Sequence, residues 1–444
     1  MPKRKNLLIF ISIFAIVEQE ILYIENFGPI KKAELDLRQA IVLIGPQSSG
    51  KSAIAKLISI LRDYRFVNQQ DTFENLVENF NATSFLSAKT IIRYNSKSHG
   101  FKFEGGKGEI IFDLQHKFFQ VKKNFEEFEA ANPRPDFYEH LEEVKNKIHS
   151  NDVLIGKINK LSEKEKNELG MGIKHAREEL EILVQRDKNK RELLREQLQF
   201  TNYSTYVPAE RLLIAIYSAS PLSFINSNLP IPKNILEFGA EFEKAKQSIK
   251  KFKIPFLNFR YSFESGTDLV YYNQTEGTKL KESSSGLQTL IPMLLVIESK
   301  WVDENTLYSY VVEEPEQNLY PLAQQKLVYY LSQRCVRYNE QKTNRSDLVV
   351  TTHSPYVLTS FNNLLFADLV VKKNGKEDEV SKIVPGDARI SADDFNAYFV
   401  SDGGAKSIFN RATGLIDENE LDSASEEIMS DFNQLMDIYK TGQA

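Results

Sequence analysis

One eight-residue stretch constrains this chain more than any other. GPQSSGKS, residues 45–52, matches the pattern G-x-x-x-x-G-K-[ST] in full, with the apolar run AIVLIG leading into it and a helix-forming segment after it. Glycines let backbone N–H groups wrap a phosphate, the lysine reaches the β- and γ-oxygens, and the serine hydroxyl ligates Mg²⁺. The alternative, a glycine-rich turn with a chance lysine, is disfavoured by the flanking strand and helix. The predicted nucleotide-binding residues are Gly45, Pro46, Gln47, Ser48, Ser49, Gly50, Lys51 and Ser52.

A second apolar stretch, YSYVVEE at residues 308–314, ends in adjacent carboxylates. An unpaired buried charge is costly, so these acids need a partner if the strand is buried. A phosphate loop requires an acid on a neighbouring strand for the Mg²⁺ shell, and often a base that polarises water. We therefore predict that Glu313 is a metal ligand and that Glu314 is the catalytic base. Glu316 is predicted to cap the next turn, and a solvated strand end is the alternative for the pair.

A histidine follows another apolar strand. LVVTTHSP, residues 348–355, places His353 at the strand tip. Ligands gather at the carboxyl ends of strands in a doubly wound sheet. A lone histidine is more often structural, but this placement favours a catalytic role in which His353 senses the γ-phosphate.

The stretch ESSSGLQ, residues 282–288, begins a long apolar helix. Exposed N–H groups and hydroxyls at a helix start form an anion site. An ordinary N-cap before a buried helix explains the same residues equally well. The stretch alone therefore does not distinguish the two, and an anion site is favoured only because the other motifs are present.

Strands alternate with helices along most of the chain, which indicates an α/β fold. AIVLIG is a continuous apolar run and therefore a strand buried on both faces. A helix is predicted from about residue 51 to residue 68. The sequence between 136 and 200 is charged and rich in helix formers, which predicts a helical hairpin. The predicted parts are an N-terminal part with the phosphate loop at 1–135, the hairpin insertion at 136–200, a C-terminal part with the acids and the histidine at 201–375 and a C-terminal extension at 376–444.

Composition adds few limits. The net charge of −5 argues against a protein that coats nucleic acid by bulk charge, although it allows a local basic groove. The single cysteine, Cys335, excludes a disulfide within the chain and is predicted to be a small apolar filler, which fits a reducing cytoplasm. The apolar run 7–17 resembles part of a signal peptide but lacks a cleavage site and is too short to span a bilayer. We expect a cytoplasmic protein without membrane contact. Residues 7–17 are then a buried element, a partner contact or the product of an upstream translation start.

Four motifs stand in order along the chain: GPQSSGKS, SSSGLQ, VVEEPE and TTHSP. The set resembles the ABC-type ATPase heads of the RecF, Rad50 and structural-maintenance-of-chromosomes (SMC) group. It is most similar to the compact ATPases of the overcoming-lysogenization-defect (OLD) type, in which the strand ends Glu-Glu-Pro-Glu, as in EEPEQNLYP here. IENFGPIKKAELDL and YVPAERLL look like the same group. The resemblance covers about 1–135 and 201–375 and implies an ABC/SMC-like P-loop ATPase head with a helical-hairpin, or short coiled-coil, insertion.

The resemblance also implies a composite site that uses ATP and Mg²⁺ between protomers of a homo-oligomer, at least a dimer. Ser284 and Gly286 would then contact the γ-phosphate held by the phosphate loop of a second copy. Ser285 and Leu287 depart from the Leu-Ser-Gly-Gly-Gln pattern of the family, which weakens this contact. Arg211 is a candidate partner of the phosphates or of the residues around them.

OLD-type nucleases carry a C-terminal Toprim domain, which needs an early glutamate and an Asp-x-Asp pair for its metals. The residues after His353 contain no Asp-x-Asp, since Asp393 and Asp394 are adjacent. We therefore expect no nuclease in this chain and a separate effector protein, Toprim or another nuclease. PARIS-like and Septu-like two-gene anti-phage systems have this arrangement. The first functional hypothesis is an oligomeric ATP-switched sensor that controls such an effector, with a phage protein as its trigger.

The second hypothesis is a DNA-clamping ATPase that acts in repair, as RecF-like proteins do. Its candidate feature is EKAKQSIKKFKIPFLNFRY, residues 243–261, in which basic residues interleave with aromatic ones and can track a DNA backbone. The basic residues are Lys244, Lys246, Lys250, Lys251, Lys253 and Arg260. A solvated charged face is the commoner reason for such a run. A third class, the ATPase of an ABC transporter, finds no partner surface in the sequence.

Overall fold

The computed structural model describes the chain in segments separated by gaps. They are residues 20–67, 71–96, 99–111, 203–217, 231–301, 307–336, 346–417, 429–436 and 438. The chain divides into two compact units, residues 1–111 with 201–444 and residues 112–200, and all described residues belong to the first unit. The apolar run 7–17 and the predicted hairpin at 136–200 lie outside the described residues.

Strands and helices alternate over much of this unit. The strands are β1 (Glu20–Phe27), β2 (Ile30–Leu37), β3 (Ala40–Ile44), β4 (Ile91–Asn95), β5 (Gly100–Glu104), β6 (Lys107–Ile111), β7 (Tyr203–Val207), β8 (Lys251–Lys253), β9 (Arg260–Glu264), β10 (Thr267–Tyr271), β11 (Gly277–Lys279), β12 (Tyr308–Glu313), β13 (Asp347–Thr352), β14 (Phe395–Ser401), β15 (Gly404–Ser407), β16 (Phe409–Asn410) and β17 (Leu415–Ile416). The helices are α1 (Lys51–Leu61), α2 (Tyr64–Val67), α3 (Phe73–Asn79), α4 (Leu212–Tyr217), α5 (Lys233–Ser248), α6 (Ser285–Trp301), α7 (Pro321–Cys335), α8 (Pro355–Asn374) and α9 (Glu377–Val380).

The central sheet has the strand order β15-β14-β3-β13-β12-β7. All neighbouring strands in it are parallel except the β14–β15 pair. Ile44 pairs with Thr352 across β3 and β13, and Glu313 pairs with Thr351 across β12 and β13. The carboxyl ends of β3, β12 and β13 therefore meet at one edge of the sheet, where the sequence places the phosphate loop, the acids and the histidine. This parallel sheet with its helices confirms the predicted α/β fold class.

Both faces of the central sheet are covered, which explains its uninterrupted apolar strands. In β3, Ala40, Val42 and Ile44 join one core cluster, which also contains residues of α5, α6, α7 and α8. Ile41 and Leu43 point to the second cluster, which contains α1 and the sheet formed by β1, β2, β4, β5 and β6. The same alternation occurs in β12 and β13, so each buried strand contributes side chains to both cores.

The helix after the phosphate loop is shorter than predicted. α1 ends at Leu61 and a separate turn of helix, α2, follows at 64–67. The break occurs at Asp63, whose carboxylate accepts the backbone N–H of Arg65 at 2.7 Å. An aspartate that bonds the N–H two residues ahead starts a new helix and competes with continuation of the old one.

The predicted C-terminal extension at 376–444 contains β14, which lies in the central sheet beside β3. Phe395 pairs with Ala40 and Phe399 pairs with Ile44 in parallel register. Sequence reasoning missed this strand. FNAYFVS follows a run of acids and small residues, whereas a parallel strand is usually recognised by the crossover helix that precedes it. None of the helices in the described ranges is long and apolar enough to cross a membrane.

Candidate functional site

The phosphate loop, residues 45–52, connects β3 to α1 and adopts the geometry its glycines allow. Gly45 has φ of 152°, and a Cβ at this position would lie 2.1 Å from the carbonyl oxygen of Val400 in β14. Only glycine fits between the loop and this neighbouring strand. Gly50 has φ of 109° and directly precedes α1, and the first intrahelical bond runs from the N–H of Ile54 to Gly50. The N–H groups of residues 51–53 therefore have no acceptor within the helix and can bind an anion.

Lys51 begins α1 and folds back over the loop. Its ammonium donates to the carbonyl oxygens of Gly45 at 2.9 Å and Pro46 at 2.7 Å. Burial lowers the pKa of Lys51 below the ordinary 10.5, and the carboxylates of Glu314, Glu316 and Glu313 oppose this fall. The cation therefore lies between the phosphate loop and the acids of β12, where a bound phosphate chain would meet it.

Glu313 is the last residue of β12 and is 4% exposed. Burial raises the pKa of its carboxyl group, and the nearby hydroxyls of Ser52 and Tyr206 oppose the rise. Its Oε1 is buried without a hydrogen-bond partner. A buried carboxylate oxygen with no donor, close to the serine hydroxyl that ends the phosphate loop, is a donor set that suits Mg²⁺. The residues present therefore fit the predicted metal role of Glu313 and Ser52.

Glu314 leaves the strand in a left-handed conformation, with φ of 41°. Such a backbone is unfavourable for a residue with a Cβ, and at a candidate catalytic position it indicates functional constraint. Its N–H donates to the carbonyl oxygen of Thr351 at 2.9 Å, and its Oε2 accepts the amide of Gln317 at 2.8 Å. The side chain is 31% exposed, so water can reach the carboxylate. These properties suit the predicted base.

His353 follows β13, as predicted, and faces the same carboxylate. Its Nε2 lies 3.4 Å from Glu314 Oε1, and its side chain is 34% exposed. The sequence-predicted Lys51, Glu313, Glu314 and His353 thus lie at one edge of the sheet. Two of them, Glu314 and His353, are in direct contact.

The prediction that Glu316 caps the next turn is wrong. Its Oε1 accepts the hydroxyl of Thr352 at 2.5 Å and the N–H of His353 at 3.0 Å. The chain reverses at Glu314, so the carboxylate two residues later returns beneath the end of β13. Burial raises the pKa of Glu316, and the bonds from Thr352 and His353 oppose the rise. Glu316 therefore fixes the strand end that carries the histidine.

Arg211 is fully buried and lies behind the acids. Its guanidinium donates to the backbone carbonyl oxygens of Glu313 and Glu314, each at 2.7 Å. The prediction left open a contact with phosphates or with residues around them, and the observed contacts are of the second kind. Burial lowers the pKa of Arg211 to about 10, and nearby carboxylates oppose the fall.

The serine–glycine turn, residues 283–286, begins α6. Ser284 and Ser285 are exposed, and the Ser284 carbonyl oxygen accepts the N–H groups of Leu287 and Gln288. Gly286 is buried, and a Cβ there would lie 2.7 Å from the carbonyl oxygen of Asn318. The turn therefore packs closely on the acidic loop, residues 314–318, of its own chain. Its predicted contact with nucleotide from a second copy stays a prediction.

Sequence reasoning missed two residues that contact the acids. Gln317 orients Glu314, and the hydroxyl of Tyr206 faces Glu313. Gln317 stands three residues after Glu314, a spacing that brings side chains together within a turn, so a signal was present. Tyr206 had no such signal, because a tyrosine in an apolar strand is usually a residue of the hydrophobic core.

Comparison with known protein families shows which family the chain belongs to. Residues 40–359 match the family described as "AAA domain, putative AbiEii toxin, Type IV TA system". The chain belongs to this family. With the phosphate loop, Lys51 and the acids at one sheet edge, it is a P-loop ATPase.

Three solved structures resemble this AAA-domain protein at low identity. One is an SMC head domain from Thermotoga maritima, with 10% identity, a TM-score of 0.35, and coverage of 88% of this chain and 98% of the other. The recombination mediator RecF-ATPrS of the RecFOR pathway has 10% identity, a TM-score of 0.30 and the same coverages. An Smc head domain with coiled coil and joint from Pyrococcus yayanosii has 11% identity, a TM-score of 0.32 and coverages of 89% and 98%. These scores are low, and the fold assignment rests on the sheet topology and the family. A comparison with curated proteins gives no match.

Proposed function

We propose that the chain hydrolyses ATP at the edge of the central sheet, with Glu314 as the base. The observation that carries this proposal is the strand end itself, where a buried carboxylate and a half-exposed one follow each other beside Lys51. The phosphate loop and Lys51 bind the phosphates, and Ser52 and Glu313 would hold Mg²⁺. When bound, Mg²⁺ neutralises charge on the phosphate oxygens.

Glu314 is accessible to water and can accept a proton from it, whereas Glu313 is buried. Its Oε1, which faces His353, accepts a proton from the attacking water, while Oε2 stays fixed by Gln317. His353 orients the carboxylate and senses the γ-phosphate. The half-exposed carboxylate and the buried one thus have separate roles, base and metal ligand, which their environments separate.

The proposal is tested by steady-state ATP hydrolysis and by equilibrium ATP binding. Lys51→Ala should lose both, because the phosphates lose their cation. Glu314→Gln should keep binding and lower kcat by about 100-fold or more, since removing a general base costs roughly 10²–10⁴. Glu379→Gln, at an exposed glutamate paired with Lys376, is the matched control and should retain wild-type turnover. Normal turnover in Glu314→Gln would falsify the assignment of the base.

For the biological role, we propose the ATPase subunit of a cytoplasmic anti-phage defence complex that controls a separate nuclease effector. The motif EEPEQNLYP, similar to OLD-type ATPases, supports this role. The family description names a putative toxin of a toxin–antitoxin system, and this supports action together with a second protein. Purification of the tagged chain from its own host should recover a nuclease partner. Recovery of DNA-repair proteins in its place would contradict the defence role.

Self-association is part of the same proposal. Tyr320 and Leu322 flank the start of α7, which follows the acidic loop in the sequence. Tyr356 lies in the first turn of α8, shortly after His353. Their exposed fractions are 74%, 65% and 53%. Large apolar side chains beside a nucleotide site favour an interface between copies. Mass measurement of Glu314→Gln with ATP should show a dimer or higher oligomer, and Leu322→Asp should remain a monomer.

DNA clamping is the second candidate function, and one structural feature favours it. Lys251 and Lys253 lie exposed on β8, the edge strand of the sheet β11-β10-β9-β8, next to exposed Lys250. Arg260, paired with Lys253, stacks on the ring of Tyr271 at 4.7 Å. A basic edge with an adjacent aromatic suits a nucleic-acid backbone.

The rest of the predicted basic run does not contribute to this edge. Lys246 is 3% exposed, pairs with Glu243 and Asp268 and lies over Phe263. Lys244 pairs with Glu241 at 3.0 Å. The predicted DNA site is therefore reduced to the edge of the small sheet.

Duplex binding measured against salt concentration tests the clamp. Alanine at Lys250, Lys251 and Lys253 should remove salt-dependent binding, because each phosphate contact releases counterions. Alanine at Lys372, Lys373 and Lys376, three exposed lysines near the end of α8, is the matched control. Equal binding by both triple variants would exclude this edge as the DNA site.

A further inference from the structure

Arg211 stands out among the buried residues near the site. It is 0% exposed and lies in the turn that follows β7, yet among the described residues it makes four hydrogen bonds, none of them to the phosphate loop or to an acidic side chain. All four go to backbone carbonyl oxygens. We propose that Arg211 is a positioning residue that joins α6, at the backbone of Thr289, to the backbone of Glu314. This inference rests on the proposed hydrolysis of ATP and adds a residue that controls its base.

The guanidinium bridges three parts of the chain. Nε donates to the Thr289 carbonyl oxygen in α6 at 3.1 Å. Nη1 donates to Pro208 at 3.0 Å and to Glu313 at 2.7 Å, and Nη2 donates to Glu314 at 2.7 Å. A planar fork of fixed donors holds these carbonyls in one geometry. A lysine, with one rotatable ammonium, cannot reproduce it.

A second connection runs parallel to the first. The hydroxyl of Thr289, whose nearest acceptors are the carbonyl oxygens of Gly286 at 3.0 Å and Ser285 at 3.1 Å, also lies 3.3 Å from the Gln317 carbonyl oxygen. Gly286 packs against Asn318. Gln317 in turn bonds Glu314 through both its side-chain amide and its backbone N–H, at 2.8 Å and 3.2 Å. The first two turns of α6 therefore touch the acidic loop at its start, through Arg211, and at its end, through Thr289 and Gly286.

The left-handed backbone of Glu314 explains why such a support is needed. A non-glycine residue at φ of 41° is strained and persists only where neighbouring contacts hold it. The contacts here are the N–H bond to Thr351, the carbonyl bonds from Arg211 and from the Gln317 N–H, and the bond from the Gln317 amide to the side chain. The bond from Arg211 is the shortest of them. Loss of the Arg211 bond should let Glu314 relax away from His353.

Hydrogen exchange of the acidic loop tests the proposal without nucleotide. Arg211→Lys should speed exchange of the Glu314 and Gln317 amides by about tenfold or more, since these amides are protected by the contacts that Arg211 maintains. The matched control is Arg62→Lys, at another buried arginine, which pairs with Glu20. It should lower thermal stability and leave exchange of the loop at the wild-type rate.

Measurements of kcat and of ATP affinity distinguish a positioning role of Arg211 from a purely structural one. Arg211→Lys should lower kcat by about 30-fold, as expected for misplacement of a catalytic group by somewhat under 1 Å, with ATP affinity within about threefold of wild type. In a Glu314→Gln background the same change should have little further effect, because Arg211 acts through Glu314.

Each outcome decides one claim. Wild-type exchange in Arg211→Lys, or a full further loss of kcat in the Glu314→Gln background, overturns the proposal. If wild-type protein does not hydrolyse ATP, the proposed function fails while exchange still decides the structural link. If Arg211→Lys does not fold, Gly286→Ala replaces it. Its added Cβ would lie 2.7 Å from the Asn318 carbonyl oxygen, so faster exchange of the loop supports the link between α6 and the acidic loop, and an unchanged rate overturns it.

Discussion

Gly286→Ala is the sharpest perturbation of the connection between the serine–glycine turn and the acidic loop. The added Cβ would lie 2.7 Å from the Asn318 carbonyl oxygen. Ordinary contact begins at 3.4 Å, so the two must separate by about 0.7 Å. Both are backbone positions, and neither can swing aside as a flexible side chain would. The displacement therefore passes into the acidic loop that carries Glu314.

The expected loss of rate follows from this displacement. A misplacement of 1 Å costs roughly 100-fold, so 0.7 Å predicts a fall in kcat of about 25-fold, or about 1.9 kcal/mol in the activation free energy. Stability should change less. Overpacking costs about 1–3 kcal/mol, while alanine in a helix gains about 1 kcal/mol over glycine.

Steady-state ATP hydrolysis and urea denaturation measure the two effects. Gly239→Ala is the matched control, because its Cβ in α5 meets only the end of the Ile214 side chain, at 3.1 Å. It should retain wild-type kcat. A kcat for Gly286→Ala within about twofold of wild type would refute the reasoning, since the displacement would then have no route to the base.

Three further predictions follow from the charged groups of the site. Burial raises the pKa of Glu313 above 4.5, so its ionised form destabilises the fold at neutral pH. Glu313→Gln without metal should therefore raise the free energy of unfolding by about 1 kcal/mol at pH 7. Urea denaturation should show this gain shrinking as the pH falls through the raised pKa of the folded state and disappearing well below 4.5, where the wild-type carboxyl is neutral in both states. The pKa of Lys51 is lowered from 10.5, so kcat/KM, which reports the free enzyme, should begin to fall at an alkaline pH below that value. The corresponding fall in kcat should occur at a higher pH, because bound phosphates stabilise the charged form of Lys51. His353→Ala should lower kcat by about 10-fold to 100-fold with ATP binding retained, as titration calorimetry beside turnover would show, and an equal loss of binding would assign the histidine to the phosphates alone.

The parts of this site that lie on apolar strands were predictable, because a parallel strand buried on both faces leaves a clear pattern. β3, β12 and β13 each read as apolar runs that end in polar residues, and the rule that ligands gather at carboxyl strand ends placed Lys51 and Glu314 together. The phosphate loop added the requirement for an acid on a neighbouring strand. Their meeting at one edge needed no tertiary information beyond this topology.

Other features depended on contacts between distant segments and left no local signal. β14 joins the sheet beside β3 from more than 350 residues away, and its carbonyl at Val400 is what excludes a Cβ at Gly45. Arg211 bonds backbone carbonyls, which every residue possesses, so no sequence pattern marks its partners. Glu316 was misassigned because the left-handed turn at Glu314, which no neighbouring glycine indicates, reverses the direction of its side chain.

The most direct test of the central claim is a single-turnover measurement with Glu314→Gln and a limiting amount of ATP. The account predicts that the variant binds ATP with an affinity within about threefold of wild type and leaves it intact over many wild-type turnover times, because Lys51 and the phosphate loop are unchanged while the base is lost. Conversion of the bound ATP to ADP at the wild-type rate would contradict it and would place the base elsewhere than at the end of β12.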